Sequence, residues 1–229
     1  MHRKLKVIAL IPARAGSQEI KNKNMVKIKN KPLIFYTIRE AKKCKKINEI
    51  YVSSNDKKIL NYSKSLKVNI LKRPKKISTS KSHPKYLVLH FIYFLMKKNF
   101  NKNDLIIYLQ PTSPLRHSED ISKVIKLMKD NNKFKCLSVT KNQKTIFKSL
   151  MIKKKLLKTI FNKRYLSQRR QNLMQTYYIN GAIFAFSIKE FLKERDFPFQ
   201  NSLAYIMSEN KSIDLDKIED LEKLKKMQI

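Results

Sequence analysis

Asp214-Leu215-Asp216 sets two carboxylates two positions apart in a chain with 17 acidic residues. Alternate side chains of an extended segment point to one side. The pair can therefore hold one Mg2+, a hard cation that takes oxygen ligands and phosphates. Asp216 can instead N-cap the helix that follows it. A second group sits near the start, in Ala13-Arg14-Ala15-Gly16-Ser17, with Lys21 and Lys23 close behind. Arg14 suits bidentate contact with phosphate oxygens, and Lys23 acts as a point charge. Gly16 lets backbone N–H groups approach a phosphate, so the loop is a candidate triphosphate site. A plain tight turn also explains Gly16, and Gly181 in Asn180-Gly181-Ala182 reads either way. Gln110-Pro111-Thr112-Ser113-Pro114-Leu115-Arg116 forms a loop stiffened by two prolines. Its Gln110 and Arg116 either face a ligand or belong to a structural turn with Arg116 in solvent.

Other chemistries are excluded or unsupported. Gly16 and Gly181 are the only glycines, which removes a G-x-G-x-x-G fingerprint and a Walker-type P-loop. Cys44 and Cys136 are the only cysteines and lie far apart, so neither a disulfide scaffold nor a cysteine zinc site fits. The four histidines do not cluster, and His90 shares a helical face with Leu87, Phe91 and Phe94, which reads as packing.

The 229 residues suit one domain, 42% hydrophobic, and carry a formal net charge of +35. Such a charge raises nucleic acid or an anionic membrane as partners. Nine of the 52 basic residues are Arg and the rest are scattered Lys, in a chain rich in Asn and Ile. That is the mark of AT-rich codons, so a solvated basic surface is expected and no specific nucleic-acid partner. No apolar run reaches the ~18 residues of a membrane span. Val7–Ile11 is too short for a signal-peptide core, and a cytoplasmic protein is expected.

The elements that must position these residues alternate. Val7–Ile11 is an uninterrupted apolar run, as expected of a strand buried on both faces. Helices are expected from Leu33, opened by Pro32, to about Lys43, from the Ser54-Asn55-Asp56 caps to Leu66, from Pro84 to Lys98 and from Ser118 to Asp130. Strands are expected at Ile50–Val52, Val68–Leu71, Leu105–Leu109 and Cys136–Val139. This alternation predicts an α/β fold with a mostly parallel sheet and ligands beyond the strand ends. After residue 140 the pattern breaks. Ile146–Phe161 reads as a hairpin-like or irregular excursion, Ile179–Phe186 and Leu203–Met207 are apolar, and Asp216–Met227 is an amphipathic helix.

Together these segments resemble the CMP-sialic acid synthetase (acylneuraminate cytidylyltransferase) family. The resemblance runs through Ile8–Ser17, Lys23-Asn24, Lys31–Ile34, Val52–Ser54, Arg73-Pro74, Gln110–Arg116, Arg169–Gln171, Asn180–Phe184 and Ser212–Asp216, in the family's order. It implies a three-layer, Rossmann-like nucleotidyltransferase fold. It also implies transfer of CMP from CTP to the anomeric hydroxyl of a nonulosonic, sialic-type acid, with release of pyrophosphate. Arg14 and Lys23 then match the catalytic, charge-neutralising residues. Arg14, Gly16, Ser17, Lys23, Asn24 and Arg73 match the nucleotide site. Gln110, Arg170, Asn180 and Phe184 match the sugar-acid site, and Phe197 or Phe199 its acyl pocket. Asp214 and Asp216 match Mg2+ ligands. The family further implies a homodimer, with residues about 142–175 as the dimerisation excursion.

Two departures stand out. Gln18 and Glu19 occupy places where the family has Lys and Gly, with Lys21 as a compensating charge. Ser80-Lys81-Ser82-His83-Pro84 replaces the usual Asp and small residues, which leaves the cytidine-side Ser open between positions. Other readings are a KDO-type cytidylyltransferase, a basic nucleic-acid-binding protein, and a catalytically degenerate nucleotide-binding relative.

Overall fold

A computed structural model describes residues 4–17, 19–143 and 145–227. Its centre is β1 (Val7–Pro12), which pairs in parallel with β4 (Glu49–Ser54) on one side and β6 (Leu105–Tyr108) on the other. β1 is enclosed on both faces, which explains its unbroken apolar run. Val7, Ala9 and Ile11 point to one face, under α1 (Leu33–Lys43), α2 (Lys57–Ser65) and α4 (Ser118–Asp130). Ile8 and Leu10 point to the other, under α3 (Pro84–Lys97) and α6 (Ile188–Glu194). Each fully buried Leu, Ile or Phe here contributes roughly 1.5–3 kcal/mol.

A short hairpin of β2 (Lys27–Ile28) and β3 (Lys31–Pro32) leads into α1. Pro32 is the N-cap of α1, so the helix starts at Leu33, as the sequence pattern suggests. Asp56 caps α2 by accepting the Lys58 N–H at 2.7 Å, as its position among the cap candidates suggests. β5 (Asn69–Lys72) follows α2 and pairs with β4 one residue later than the apolar run implies.

Among the described residues, seven strands form one sheet with the order β11-β7-β10-β6-β1-β4-β5, where β7 is Lys135–Lys141, β10 Tyr177–Ser187 and β11 Leu203–Ile206. The mostly parallel α/β architecture expected from the alternation is present. β10 runs antiparallel to both β6 and β7, and its register shifts between Ile179 and Phe184. Gly181 sits in that irregularity with φ +75°, a left-handed conformation that Gly adopts without a Cβ penalty.

The excursion after β7 is a separate two-stranded sheet, β8 (Leu150–Lys153) with β9 (Leu156–Thr159), followed by the short α5 (Arg164–Ser167). Lys154 and Lys155 both have positive φ, 50° and 63°, as a two-residue type I′ turn requires. The final helix, α7 (Ile218–Lys226), begins after Asp216. Asp220 accepts the N–H groups of Lys217 at 2.9 Å and Asp216 at 3.2 Å. The Asp216 side chain therefore does not cap this helix. Among the described residues, no helix is long and apolar enough to cross a membrane.

Arg116 corrects a reading of the sequence, since it faces neither ligand nor solvent. It is 1% exposed. Its Nη1 donates to the carbonyls of Ala182 at 2.8 Å and Gln110 at 3.1 Å, and its Nη2 donates to Thr37 Oγ1 at 2.7 Å. Burial drops its pKa to about 10, against the pull of the Asp120 and Glu40 carboxylates. One side chain thus ties α1, the loop after β6 and the β10 irregularity together. Arg116→Ala removes three hydrogen bonds, two of them buried, at the Ala182 carbonyl and the Thr37 hydroxyl, and is expected to lower stability by about 3 kcal/mol or more. Urea denaturation checks this, and a loss under about 1 kcal/mol contradicts it.

Candidate active site

An open cleft of about 340 Å3 lies beyond the C-terminal ends of β1, β5 and β6. This is where open α/β sheets place ligands, because the loops after parallel strands gather at one edge. Three loops and the segment before α7 supply its walls.

The loop after β1 contributes Arg14, Ser17, Glu19, Lys23 and Asn24. It is tied down by the main chain of Ala13, which donates to Ser53 O at 2.9 Å, and by Ala15 N–H to Asn55 Oδ1 at 2.9 Å. Asn24 is buried and donates to Arg14 O at 3.0 Å. The Arg14 guanidinium curls over its own loop, donating to Gly16 O at 2.7 Å. Gly16 has φ +73° and nothing near its missing Cβ, so its need is conformational rather than steric. Glu19 stands on the cleft wall, while Lys21 is exposed and off it. Gln18 lies outside the described residues.

The segment after β5 brings Arg73, Thr79, Ser82 and His83 to the opposite wall. Arg73 is buried and donates from Nη2 to Ser53 O at 2.8 Å and from Nε to Ser53 Oγ at 3.3 Å. Burial lowers its pKa to about 10, with Arg14 adding to the effect. Ser80 is exposed and off the cleft, whereas the Thr79 and Ser82 hydroxyls meet at 2.8 Å on its wall.

Lys23 joins the two groups with which the sequence begins its chemistry. Its Nζ donates to Leu215 O at 2.8 Å and to Asp216 Oδ1 at 3.0 Å. Asp216 faces the cleft, and Asp214 borders the adjoining recess with Tyr178 and Ser212. Asp214 is largely buried, and its pKa is pushed up by that burial and by the Asp216 carboxylate, against a hydrogen bond donated by Thr112. Among the described residues its Oδ1 has no hydrogen-bond partner. No cluster of three or more His, Cys, Asp or Glu side chains suited to a metal occurs among them. Two carboxylates with one orphaned oxygen fit a hard cation that also takes phosphate and water ligands.

The sugar-side candidates divide. Gln110 is on the cleft wall. Its Oε1 lies 2.6 Å from where a Cβ on Gly181 would stand, and Asp214 Oδ2 lies 3.5 Å from the same point. Gly181 is thus the bare floor on which Gln110 and Asp214 converge. Asn180 is buried and committed internally. Its Oδ1 accepts from Ser138 Oγ at 2.6 Å and its Nδ2 donates to Ser212 Oγ at 2.8 Å. Phe184 packs edge-on to Tyr108 at 5.8 Å and against Phe197 at 5.2 Å, inside the core rather than on the cleft. Phe199 is exposed. Arg170 is exposed on a short turn of the excursion and does not line the cleft of its own chain.

Sequence reasoning missed Tyr108, which lines the cleft. The available signal was its hydroxyl, alone among the apolar side chains of Leu105–Leu109.

The two glycines separate by experiment. Alanine at either position costs about 1–2 kcal/mol for its left-handed backbone. Only Gly181→Ala drives the Gln110 side chain from its place. Urea midpoints and a crystal structure of each variant check this. An unmoved Gln110 in Gly181→Ala contradicts it.

The chain matches a family model described as cytidylyltransferase over residues 8–229. It is 31% identical to an N-acylneuraminate cytidylyltransferase of Escherichia coli O18:K1:H7 across 95% of this chain and 51% of that protein. It is 27% identical to a pseudaminic acid cytidylyltransferase of Campylobacter jejuni across 95% of this chain and 94% of that one. The chain spans about half the length of the N-acylneuraminate relatives it matches. A solved CMP:2-keto-3-deoxy-manno-octonic acid synthetase complexed with CTP superposes with a TM-score of 0.70 at 14% identity, covering 96% of this chain and 97% of that one, which establishes the shared fold. With the sheet, the cleft at its strand ends and a match from residue 8 to residue 229 in agreement, the chain belongs to the cytidylyltransferase family.

Proposed function

We propose that this chain transfers CMP from CTP to the anomeric hydroxyl of a nonulosonic acid of the sialic or pseudaminic type. The observation that carries this reading is the contact of Lys23 with Asp216 and Leu215 O, which ties a cationic loop to the Asp214-Leu215-Asp216 segment at the cleft wall. The anomeric hydroxyl gives up its proton to solvent water as its oxygen attacks the α-phosphorus of CTP, the bond from that phosphorus to the oxygen bridging the β-phosphate breaks, and pyrophosphate leaves with the electron pair. Arg14 and Lys23 neutralise the phosphate chain, and Gly16 and Ser17 let the loop approach it. Asn24 and Arg73 hold the cytidine. Gln110 orients the acid, within reach of the α-phosphate, so that positioning supplies much of the rate. Asp214 and Asp216 hold Mg2+, which supplies charge neutralisation to the phosphates. Nonulosonic acids are favoured over KDO, since sialic and pseudaminic relatives match in sequence along 95% of the chain, whereas a 3-deoxy-manno-octulosonate cytidylyltransferase matches along 55%.

The same reading includes a homodimer. The excursion exposes Ile152 at 76%, Leu157 at 67% and Leu156 at 62%. Ile152 and Leu157 are cross-strand partners, so they form one apolar patch. A second copy covering this patch removes it from water and carries its own Arg170 toward the neighbouring site, where a guanidinium suits the acid's carboxylate.

Two experiments test these statements. Purified protein with Mg2+ is expected to release pyrophosphate with CTP and one acid from a panel of nonulosonic acids and KDO, and not with ATP, GTP or UTP. Asp214→Asn combined with Asp216→Asn is expected to lower that rate at least about 100-fold. Release without CTP preference, or full activity in the double variant, contradicts the assignment. Light scattering is expected to give twice the 27.2 kDa chain mass, and Ile152→Glu with Leu157→Glu a single chain. An unchanged mass in that variant contradicts the interface.

A further inference from the structure

The segment Ser212–Asp216 carries both carboxylates of the proposed cation site, yet it belongs to no helix or strand. Its position therefore rests on individual hydrogen bonds rather than on a ladder. At the downstream end, Leu215 is buried, donates its N–H to Thr112 O at 2.8 Å and accepts Lys23 Nζ on its own carbonyl at 2.8 Å. At the upstream end the anchor is a side chain. Ser212 Oγ accepts from Asn180 Nδ2 at 2.8 Å and donates to Ser208 O at 2.8 Å. Asp214 lies between the two anchors.

Asn180 is itself held by the sheet. Its Oδ1 accepts from Ser138 Oγ of β7 at 2.6 Å and from the Ala182 N–H at 3.2 Å. Ser138 Oγ in turn accepts the Ile183 N–H at 2.7 Å. Ser138, Asn180 and Ser212 are all buried. An amide suits this place because it accepts on the sheet side and donates on the segment side. Each hydrogen bond in such a buried chain strengthens its neighbours, and the aspartate segment inherits the order of the sheet.

Two further observations point the same way. Asp214 Oδ1 is buried and has no hydrogen-bond partner among the described residues. The neighbours of Asp214 carry the hold, which leaves that oxygen to give to a cation. Beside Asn180, Gly181 leaves room for the carboxylate, since Asp214 Oδ2 lies 3.5 Å from where a Cβ on Gly181 would stand. The β10 irregularity thus anchors the segment with one residue and clears space for its carboxylate with the next.

We propose that Asn180 and Ser212 are positioning residues that hold Asp214 in place for a divalent cation. The inference rests on the cytidylyltransferase reading above. Neither side chain lines the cleft, and both act through the aspartate segment. Asn180, matched by resemblance to the sugar-acid site, serves the metal side instead.

Mn2+ titrated into the protein, with free Mn2+ read by electron paramagnetic resonance, tests this without turnover. Ser212→Ala is expected to raise the Mn2+ dissociation constant about five- to tenfold. Asn180→Ala is expected to raise it as much, and the double variant to match Asn180→Ala within about twofold, because the two act through one hydrogen bond. Should Asn180→Ala not fold, Ser212→Ala carries the test alone. Ser63→Ala is the control for stability, since Ser63 is buried in α2 and its hydroxyl bonds only to Ile59 O at 2.8 Å. It is expected to lower the melting temperature and leave Mn2+ binding unchanged. A Ser63→Ala protein that loses Mn2+ as Ser212→Ala does overturns the proposal, as do losses that multiply in the double variant. An Asn180→Ala enzyme with a raised KM for the acid and unchanged Mn2+ binding also overturns it. Wild-type protein that binds no Mn2+, alone or with a non-hydrolysable CTP analogue, overturns the metal assignment of the functional reading and this inference with it. Wild-type binding that Ser212→Ala leaves unchanged overturns this inference alone.

Discussion

A buried cation holds the site in register. Arg116 is enclosed between α1, the loop after β6 and the β10 irregularity, and it bonds to one group on each. One of those places, the loop after β6, lines the cleft, and another, the β10 irregularity, lies beneath the Gln110 side chain at Gly181. The Gln110 carbonyl anchors the wall that carries the Gln110 side chain, and the Ala182 carbonyl anchors the backbone beside Gly181. A guanidinium suits this work because its planar fork serves several acceptors at fixed angles. Asp120 and Glu40 stand near enough to favour its charge. Glu40 also accepts the Ser118 N–H at 2.9 Å, so α1 and the start of α4 close around the same centre.

The cleft differs in character from the surface around it. The chain carries a net charge of +35, yet the cleft sets Glu19 and Asp216 beside Arg14, Lys23 and Arg73. Lys23 is internally paired with Asp216 before any ligand arrives. Under the proposed function, a phosphate chain entering here would compete with a carboxylate for Lys23, and a divalent cation at the acidic pair would relieve that competition. The surplus lysines elsewhere give diffuse attraction that salt screens over about 8–10 Å. Under the proposed function, selectivity would come from the arrangement within the cleft.

The alternation of apolar runs and helical patterns made the parallel half of the sheet legible, because a strand covered on both faces cannot hide its unbroken apolar run. Arg14, Lys23, Gln110 and Asp216 were readable from their residue types and spacing, Asn24 and Arg73 only from the family resemblance, and the fold brings all six to one cleft. The antiparallel course of β10 was not readable, since one apolar run fits either direction. Arg116 was misread because local sequence shows a charge in a proline-rich loop and not the three distant partners that bury it. Asn180 beside Gly181 has the look of a ligand contact, but Ser138 and Ser212, more than 30 positions away, take its hydrogen bonds. Arg170 rides on an excursion whose own chain gives it no place at the cleft.

The most direct measurement is a crystal structure of this chain with CTP and Mg2+ bound. The account predicts phosphate oxygens on Arg14 and Lys23, the metal on Asp214 and Asp216, the base against Arg73 and Asn24, and Gln110 facing the unfilled end. Nucleotide bound elsewhere on the basic surface, or bound in the cleft with the aspartates free of metal, would contradict it.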